Sequence, residues 1–440
     1  MTTELVMQHS LTSLNIKQMT RSQKYACLGA KFFLAPCFSL LVSTISWEQR
    51  KLGEVSERVK GNDGRMDLPT LTISAGSGWL DQKDRFSANI AGKEQENYTL
   101  LHKGELSYNH GNSKLAKYGA VFSLRTYEEA LVPRVYHSFK VIGADADYIE
   151  YLFATKLPDK ELGKLISSGA RMDGLLNINY DEFMGISISM PSVEEQKKIS
   201  SYLRSLDTLI TLHQRKCDAL QKFKRAMLQK MFPQNGESVP EIRFAGFTDA
   251  WEQRKLNEYL TVSTRKNTDD KYDKTDVLSV SGEVGVVNQI EFQGRSFAGA
   301  SVSNYGIVET GDVVYTKSPL RANPYGIIKA NKGKSGIVST LYAVYNTIEG
   351  TANADFIECY FDLDDRLNMY LKPLVNIGAK HDMKVTDENA LKGVVTFPDY
   401  EEQCHIADYF ARLDTLITLH QRKLETLQKM KKALLQKMFV

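Results

Sequence analysis

Apolar side chains recur at alternating intervals of three and four residues along two stretches of this 440-residue chain. Such a heptad seam is typical of a long α-helix that packs against a partner helix. A proline, followed by a Ser or Asp suited to capping, precedes each stretch, and no Gly or Pro interrupts either one. The pattern predicts long helices at residues 191–233 and 398–440. Their candidate seam residues are Leu206, Ile210, His213, Leu220, Leu413, Ile417, His420 and Leu427.

The two predicted helices are copies of one segment. The same eleven letters occur twice, 207 residues apart, and further motifs repeat at nearly the same spacing. The chain is therefore a tandem duplication of a unit of roughly 200 residues. The repeated motifs are LDTLITLHQRK at 206–216 and 413–423, Pro-x-x-x-Glu-Gln-x-x-Ile at 191–199 and 398–406, and WEQRKL at 47–52 and 251–256.

Each apolar seam needs a partner, and the economical partner is the other copy within the same chain. Antiparallel pairing as a coiled coil would place His213 and His420 near the middle, facing the opposite helix. We interpret both histidines as polar seam residues that fix the register, rather than as ligands or catalytic groups. A scaffold that only dimerises would show the same heptad pattern.

Residues 47–190 and 234–397 follow a different pattern. Runs such as VLSVSG (277–282) and DVVYT (312–316) are β-branched, aromatic and punctuated by glycine, which favours strands and turns. Residues 148–157 have the character of a helix. The predicted fold class is mixed α/β (α+β), with two globular units in tandem, separated by the two long helices.

Residues 1–46 depart from the repeat. FFLAPCFSLLVSTISW (32–47) is uncharged and follows four basic residues, yet it is shorter than the ~20 residues that span a bilayer, and a proline interrupts it. We predict no membrane role and interpret the segment as a product of recombination, a frameshift or a misassigned start. None of the five cysteines has C-x-x-C spacing, which favours a reducing, cytoplasmic setting.

The formal charge of +3 excludes a global basic signature, so any nucleic-acid surface must be local. Residues 103–140 hold six basic side chains against three acidic ones, and residues 293–334 hold six against two. Tyrosines lie among them in both places. Cations on phosphates give affinity, while Asn, Arg and Tyr can reach base edges. Scattered lysines on solvated loops are the alternative, but the recurrence in both units favours a binding face.

Catalytic motifs are missing from the sequence. Asn323-Pro324-Tyr325 lacks the second proline of a DNA methyltransferase motif, and Gly333-Lys334-Ser335 lacks the first glycine of a phosphate-binding loop. No His, Cys or Asp cluster has the spacing of a metal site. We therefore predict a non-enzymatic chain without a metal.

The repeated motifs, together with GELSYN (104–109), GDVVYT (311–316) and RFAGFTDAWEQRKL (243–256), make residues 47–440 resemble the specificity subunit of type I restriction-modification enzymes. The resemblance implies a non-catalytic subunit with two target recognition domains, each reading one half of a split DNA target. The helices would set the spacer, since 39 residues at ~1.5 Å each span ~58 Å, or ~17 base pairs. The first domain would occupy residues 47–190, and residues 234–397 would hold a linker and the second.

The same resemblance implies partners and cofactors. Methyltransferase subunits using S-adenosylmethionine would dock on the helices, and motor-nuclease subunits using ATP and magnesium would join them, with no cofactor in this chain. A stand-alone DNA-binding or scaffold protein is the alternative, and an enzyme with an unrecognised site is a second one. The candidate DNA-contacting residues are Tyr108, Asn109, Lys114, Lys117, Tyr118 and Arg134 in the first domain, and Tyr315, Lys317, Arg321, Tyr325, Lys332 and Lys334 in the second.

Overall fold

The structure is a computed structural model with two compact units. One unit takes its residues from 1–206 and 430–440, and the other comprises residues 207–429. The segment that we interpreted as atypical, residues 1–46, lies outside the described residues. The structure describes residues 47–86, 92–166, 175–234, 236–299, 301–377 and 383–439.

The first unit is a small mixed domain of short strands and helices. Its elements are β1 Glu48–Lys51, β2 Ser56–Val59, β3 Leu71–Ser74, β4 Gly78–Asp81, α1 Gln82–Phe86, β5 Thr99–His102, β6 Leu106–Asn109, β7 Ala120–Ser123, β8 Glu129–Val132, β9 His137–Val141, α2 Ala146–Ala154, α3 Asp159–Leu165, α4 Tyr180–Met184 and β10 Ser187–Met190. The long helix α5, Val193–Lys230, follows and belongs to this unit as far as Leu206.

A four-stranded antiparallel sheet in the order β2-β9-β6-β7 forms the centre of the first unit. Two-stranded antiparallel pairs surround it: β1 with β10, β3 with β4, and β5 with β8. The central strand β6 is buried on both faces from Leu106 to Tyr108, and Leu106 and the opposite Phe139 are both fully buried.

The second unit repeats most of these elements in the same order. Its elements are β11 Glu252–Lys255, β12 Leu260–Val262, β13 Leu278–Ser281, β14 Gly285–Asn288, α6 Gln289–Gln293, β15 Gly306–Val308, β16 Val313–Thr316, β17 Ile328–Ala330, β18 Gly336–Val338, β19 Tyr342–Thr347, α7 Ala354–Tyr360, α8 Asp364–Leu371, β20 Asn376–Ile377, β21 Met383–Lys384, β22 Val394–Phe397 and α9 Tyr400–Lys437. A 3-10 turn at Asn389–Leu391 stands in the place of α4, and β20 and β21 are two added strands.

The sheets of the second unit have the same topology as those of the first. Its central sheet runs β12-β19-β16-β17, and the smaller pairs are β11 with β22, β13 with β14, and β15 with β18. Only the short pair of β20 with β21 lacks a described counterpart in the first unit. The prediction of a mixed α/β fold with tandem units and two long helices is confirmed.

The repeated Glu-Gln pair explains how each long helix begins. Gln196 is buried, and its side chain accepts from Asp145 N at 2.9 Å and donates to Pro191 O at 2.8 Å. Gln403 does the same with Asn353 N at 3.0 Å and Pro398 O at 3.1 Å. Asp145 and Asn353 are the N-caps of α2 and α7. A buried amide therefore joins the start of each long helix to the start of a helix in its own domain.

Three aromatic rings pack together in each unit, where the long-helix C-terminus meets the WEQRKL motif. In the first unit, the Trp47 ring lies 6.2 Å from that of Tyr148 and 6.3 Å from that of Phe439. Phe439 also stacks on Tyr148 at 5.2 Å. The tryptophan of WEQRKL and the phenylalanine that follows each long helix therefore form one cluster, which explains why both motifs repeat. The second unit has the same cluster in Trp251, Phe356 and Phe232.

Within the second unit, the two long helices lie antiparallel. The Nδ1 atoms of His213 and His420 are 2.9 Å apart, so one ring donates and the other accepts. Further along, Lys224 Nζ pairs with Asp414 at 2.8 Å and with Asp362 at 3.1 Å. Among the remaining seam candidates, Ile210 and Leu220 are half-buried, and those buried are Leu206 (in the first unit), Leu413, Ile417 and Leu427.

Candidate nucleic-acid interface

Seven of the twelve candidate residues lie on one loop in each unit, which we call the first basic loop (residues 109–118) and the second basic loop (residues 316–325). Each loop leaves the end of a central strand, β6 or β16, and returns to the edge strand of the same sheet. Because a loop on a rigid sheet edge can vary without disturbing the core, this is a favourable place for a binding surface.

A tyrosine hydroxyl closes each basic loop in the same way. Tyr108 Oη donates to Tyr118 O at 2.7 Å, and Tyr315 Oη donates to Tyr325 O at 2.7 Å. Both donor rings are fully buried. Burial raises the pKa of both hydroxyls well above the ordinary value for tyrosine, so they remain neutral donors.

The residue after each acceptor tyrosine is a glycine with positive φ, at +84° for Gly119 and +89° for Gly326. A Cβ on Gly119 would lie 2.5 Å from Asn109 O, and one on Gly326 would overlap Thr316 O. The backbone therefore passes directly over the closing tyrosine, where only glycine fits.

Two of the candidate contacts are corrected by this geometry. Tyr108 and Tyr315 have no exposed surface, and the Tyr108 ring also stacks on Phe183 at 4.2 Å. Both were expected to touch DNA because they stand among lysines in the sequence. They instead belong to the core and hold the basic loops in place.

The first basic loop presents cations to solvent. Lys114 and Lys117 are exposed, and the ammonium of Lys117 lies 5.1 Å from the centre of the half-buried Tyr118 ring. Asn109 is turned inward: its side chain accepts from Gly111 N at 3.0 Å and donates to Ile73 O at 3.3 Å. The loop is thereby tied to strand β3.

Arg134 is exposed on the neighbouring turn between β8 and β9. The adjacent Val135 O lies 2.9 Å from Nε2 of His110, so this turn contacts the first basic loop. Among the described residues, neither Lys114 nor Arg134 has an acidic partner within 4.0 Å. Both cations are free to meet an anion.

A cleft of about 450 Å³ opens beside the first basic loop. Its walls come from the β3–β4 turn, the loop itself and α1, and they include Asn109, Asn112, Lys114 and Arg85. Among the described residues, two basic side chains and no carboxylate line the cleft. An anionic group such as a phosphate fits this charge better than a cation does.

The candidate cations of the second unit are partly neutralised within that unit. Lys317 Nζ of the second basic loop lies 2.7 Å from Asp387, and Lys332 Nζ, which follows strand β17, lies 3.0 Å from Glu358. Arg321 and Lys334 are exposed, and Tyr325 is half-buried with its carbonyl held by Tyr315. Of the six candidates in this unit, Arg321 and Lys334 are therefore the cations best placed to meet a ligand.

Arg85 was missed by the sequence analysis, although its side chain lines the cleft with Lys114. It follows the β3–β4 hairpin, outside the basic clusters that drew attention. A usable signal was present, because Gln82 and Gln289 stand 207 residues apart, each opening a short helix with an acidic residue two positions later.

The described residues contain neither a candidate metal site nor a candidate membrane span. No group of three or more His, Cys, Asp or Glu side chains among them is arranged to hold a metal ion. No helix in the same ranges is long and apolar enough to cross a membrane.

The chain is similar to known DNA-specificity proteins. Residues 45–222 match the family model of the type I restriction modification DNA specificity domain. A protein of Methanocaldococcus jannaschii described as the MjaX type I restriction enzyme specificity subunit is 23% identical over 269 residues, which cover 59% of this chain and 60% of that protein. The MjaVIII specificity subunit of the same organism is 27% identical over 104 residues, covering 23% of this chain and 24% of its own length.

The fold is similar to that of a solved S subunit. The type I restriction-modification S subunit from M. genitalium aligns over 91% of this chain and 98% of its own, with a TM-score of 0.56 and 12% identity. The matches to the two curated relatives each span less than two thirds of the relative's length. With the repeated helices and the two units of equivalent topology, these similarities agree with the resemblance in the sequence: residues 45–222 are similar to the DNA specificity domain of type I restriction-modification systems, and the fold is similar to that of an S subunit.

Proposed function

We propose that this chain is the non-catalytic, DNA-reading subunit of a type I restriction-modification complex. Each globular unit reads one half of a split target in double-stranded DNA. The helix pair sets the length of the unspecified spacer. The helix pair and the first turns of the two helices form the docking surface for methyltransferase subunits. The kinship with specificity subunits favours this role over that of a stand-alone scaffold protein.

One observation carries the proposal. The two units share the tyrosine and the glycine that support their basic loops (the shared frame), but their exposed charged side chains differ. The tyrosine that donates to the loop and the glycine that follows the loop each recur 207 residues later. The lysines differ, because Lys317 of the second loop is paired with Asp387 and Lys114 of the first loop is exposed. Two copies of one support that present different side chains suit the reading of two different half-sites.

The two long helices have the same length and a repeated sequence. α5 and α9 each have 38 residues and share an uninterrupted identical segment, LDTLITLHQRK. At ~1.5 Å per residue each spans ~57 Å, or ~17 base pairs of DNA. Identical surfaces suit two identical partners. We assign those positions to methyltransferase subunits, which would bring S-adenosylmethionine, while motor-nuclease subunits would bring ATP and magnesium.

The test is co-expression with a methyltransferase subunit encoded beside this chain, followed by sequencing of methylated positions in the host DNA. Methylation at a split motif is the expected result. Exchanging residues 47–190 for those of another specificity subunit should change one half of the motif and leave the other half and the spacer intact. Inserting one heptad into both long helices should instead lengthen the spacer.

Other outcomes would redirect the proposal. A stable complex that methylates no DNA would contradict the reading role. Failure to bind any methyltransferase subunit, together with salt-dependent DNA binding by the chain alone, would favour the stand-alone DNA-binding protein. Modification of DNA by the purified chain would favour an enzyme with an unrecognised site.

A further inference from the structure

Each unit has an exposed phenylalanine with an arginine guanidinium over its ring in the segment that follows the hairpin β3–β4 or β13–β14. In the first unit it is on α1, which directly follows the β3–β4 hairpin. Phe86 is 43% exposed, and the Arg85 guanidinium lies 5.1 Å from the centre of its ring. Neither residue is part of the basic loop.

The second unit places the same combination after its equivalent hairpin, β13–β14. Helix α6 ends at Gly294 in the left-handed conformation, and the chain then turns. Arg295 lies 4.5 Å from the centre of the Phe297 ring, and Phe297 is 56% exposed. Phe292, on α6 itself, is 49% exposed.

Single exposed apolar residues are common and need no special explanation. Recurrence in the segment after the equivalent hairpin is different, because the sequences have diverged: the pair lies on the helix in QKDRF and just beyond it in QIEFQGRSF. What both retain is a partly exposed aromatic ring covered by a guanidinium. Arginine stacked on an aromatic ring is held in a defined position with its donors directed outward.

The charge beside each of these helices indicates the ligand. Arg85 and Lys114 line one cleft in the first unit, and no carboxylate among the described residues lines it with them. In the second unit, Gly333 lies next to strand β14, since a Cβ on it would be 3.9 Å from Val286 O, and the exposed Lys334 is the next residue along the chain. In the first unit, two cations near an exposed ring are complementary to a polyanion that also offers apolar sugar and base surface.

We propose that the segment after the first hairpin of each unit is a DNA contact, in addition to the basic loops. Arg85 and Arg295 contact phosphates. Phe86 and Phe297 pack against deoxyribose and base edges in the adjacent groove, as apolar side chains do when they widen or bend a duplex. The inference rests on the proposed function, because it names residues of the same DNA-binding role.

The experiment measures binding of the full-length chain to a fluorescent mixed-sequence duplex at several salt concentrations. Arg85→Ala and Arg295→Ala are each expected to weaken binding about 3- to 10-fold and to reduce the salt dependence by about one phosphate contact. Phe86→Ala and Phe297→Ala are expected to weaken binding about 5- to 20-fold with the salt dependence unchanged, because they remove stacking and apolar contact.

Matched controls separate these effects from general surface changes. Met369→Ala removes another highly exposed apolar side chain, and Lys160→Ala removes another exposed cation. Both should bind like the wild type. Phe86→Tyr should retain most of the affinity because it keeps the ring, and every variant should unfold at nearly the wild-type temperature.

The outcomes distinguish this inference from the proposed function. If the wild type binds DNA and all four alanine variants of the arginines and phenylalanines bind it equally well, the inference is overturned and the reading role is unaffected. Variants that bind DNA normally but no longer co-purify with methyltransferase subunits would overturn it in favour of a protein interface. A large fall in the unfolding temperature of Phe86→Ala would make the ring structural and overturn it too. No DNA binding by the wild type would contradict both proposals.

Discussion

The first and second basic loops are built on one frame and carry different charges. In both, a buried tyrosine closes the loop through a 2.7 Å hydrogen bond, and a glycine lets the backbone cross above it. Lys114 of the first loop is exposed, whereas Lys317 of the second is paired with Asp387. The residues that set the position of the loop are repeated, and the residues that face outward have diverged.

A second comparison concerns the starts of the two long helices. Glu402 is fully buried and makes a bidentate pair with Arg243, with both distances at 2.7 Å. Glu195 stands in the equivalent place on α5, and the described residues supply it with no arginine. Arg243 comes from the segment before the second WEQRKL, which has no similar counterpart in the sequence before the first. Among the described residues, the buried ion pair is therefore a feature of the second helix start.

The largest expected effect comes from breaking the shared frame. Gly326→Ala would place a Cβ on Thr316 O and 2.9 Å from the Tyr315 ring, at a φ of +89°. We expect a loss of roughly 4 kcal/mol in the free energy of unfolding, from strain and displaced backbone together. Chemical denaturation measures it.

Gly311→Ala is the matched control, because its φ is +91° and no atom lies within 4 Å of the added Cβ. It should cost only about 1 kcal/mol, for the backbone conformation alone. Gly119→Ala should resemble Gly326→Ala, since its Cβ would meet Asn109 O and the Tyr108 ring. Equal free energies of unfolding for Gly326→Ala and Gly311→Ala would show that the backbone at residue 326 has room for a Cβ, contrary to this prediction.

The second prediction uses the unequal helix starts. Arg243→Ala leaves the buried Glu402 carboxylate without its partner, so we expect a loss of about 3 kcal/mol in the free energy of unfolding. Glu195→Gln, the control at the other helix start, should change stability by less than about 0.5 kcal/mol.

The double variant Arg243→Ala with Glu402→Gln removes the unpaired charge and should recover part of the lost stability. No recovery, measured by the same denaturation, would mean that the loss comes from the packing of the arginine stem.

Local patterns and the pairing of the two repeated helices could be predicted from the sequence, and other contacts between distant residues could not. The heptad seam predicted both long helices and the facing histidines, because seam periodicity depends only on neighbouring turns. The run DVVYT predicted strand β16, observed at Val313–Thr316. Asp387 lies 70 residues from Lys317, so its neutralising role required the fold.

The buried tyrosines show why the site was harder to predict than the fold. A tyrosine among lysines fits both a base contact and a core position, and composition cannot separate the two. Tyr-Gly at 118–119 and 325–326, each ten residues after a tyrosine, was the available signal. Its meaning depends on the backbone crossing the ring, which only the three-dimensional structure reveals.

The third prediction separates the two basic loops by function. Lys114→Ala should weaken DNA binding about 3- to 10-fold and reduce its salt dependence by about one phosphate contact, with stability unchanged. Lys317→Ala should do the opposite: it leaves Asp387 unpaired and costs about 1 kcal/mol of stability, with little effect on binding. Fluorescence anisotropy and thermal unfolding of both variants test this difference. Equal losses of DNA affinity would mean that Lys317 exchanges its partner for DNA.

The smallest expected effect concerns the helix pair shared by the two copies. Partial burial, then the nearby His420, Lys423 and Lys216, lower the pKa of His213. A histidine whose pKa is depressed in the folded state adds stability above its unfolded pKa of ~6.5, and that stability is lost as the pH falls through the folded value.

The unfolding temperature should therefore fall more steeply between pH 7.5 and 5.5 in the wild type than in the double variant His213→Leu with His420→Leu. Expressed as a change in the free energy of unfolding over this pH range, the two proteins should differ by no more than about 1 kcal/mol, because the rings are partly open to water. Protonating both rings would replace the 2.9 Å hydrogen bond by repulsion between two imidazolium groups. The same pH dependence in the double variant would place the acid-sensitive groups elsewhere and leave the histidine pair as a neutral marker of register.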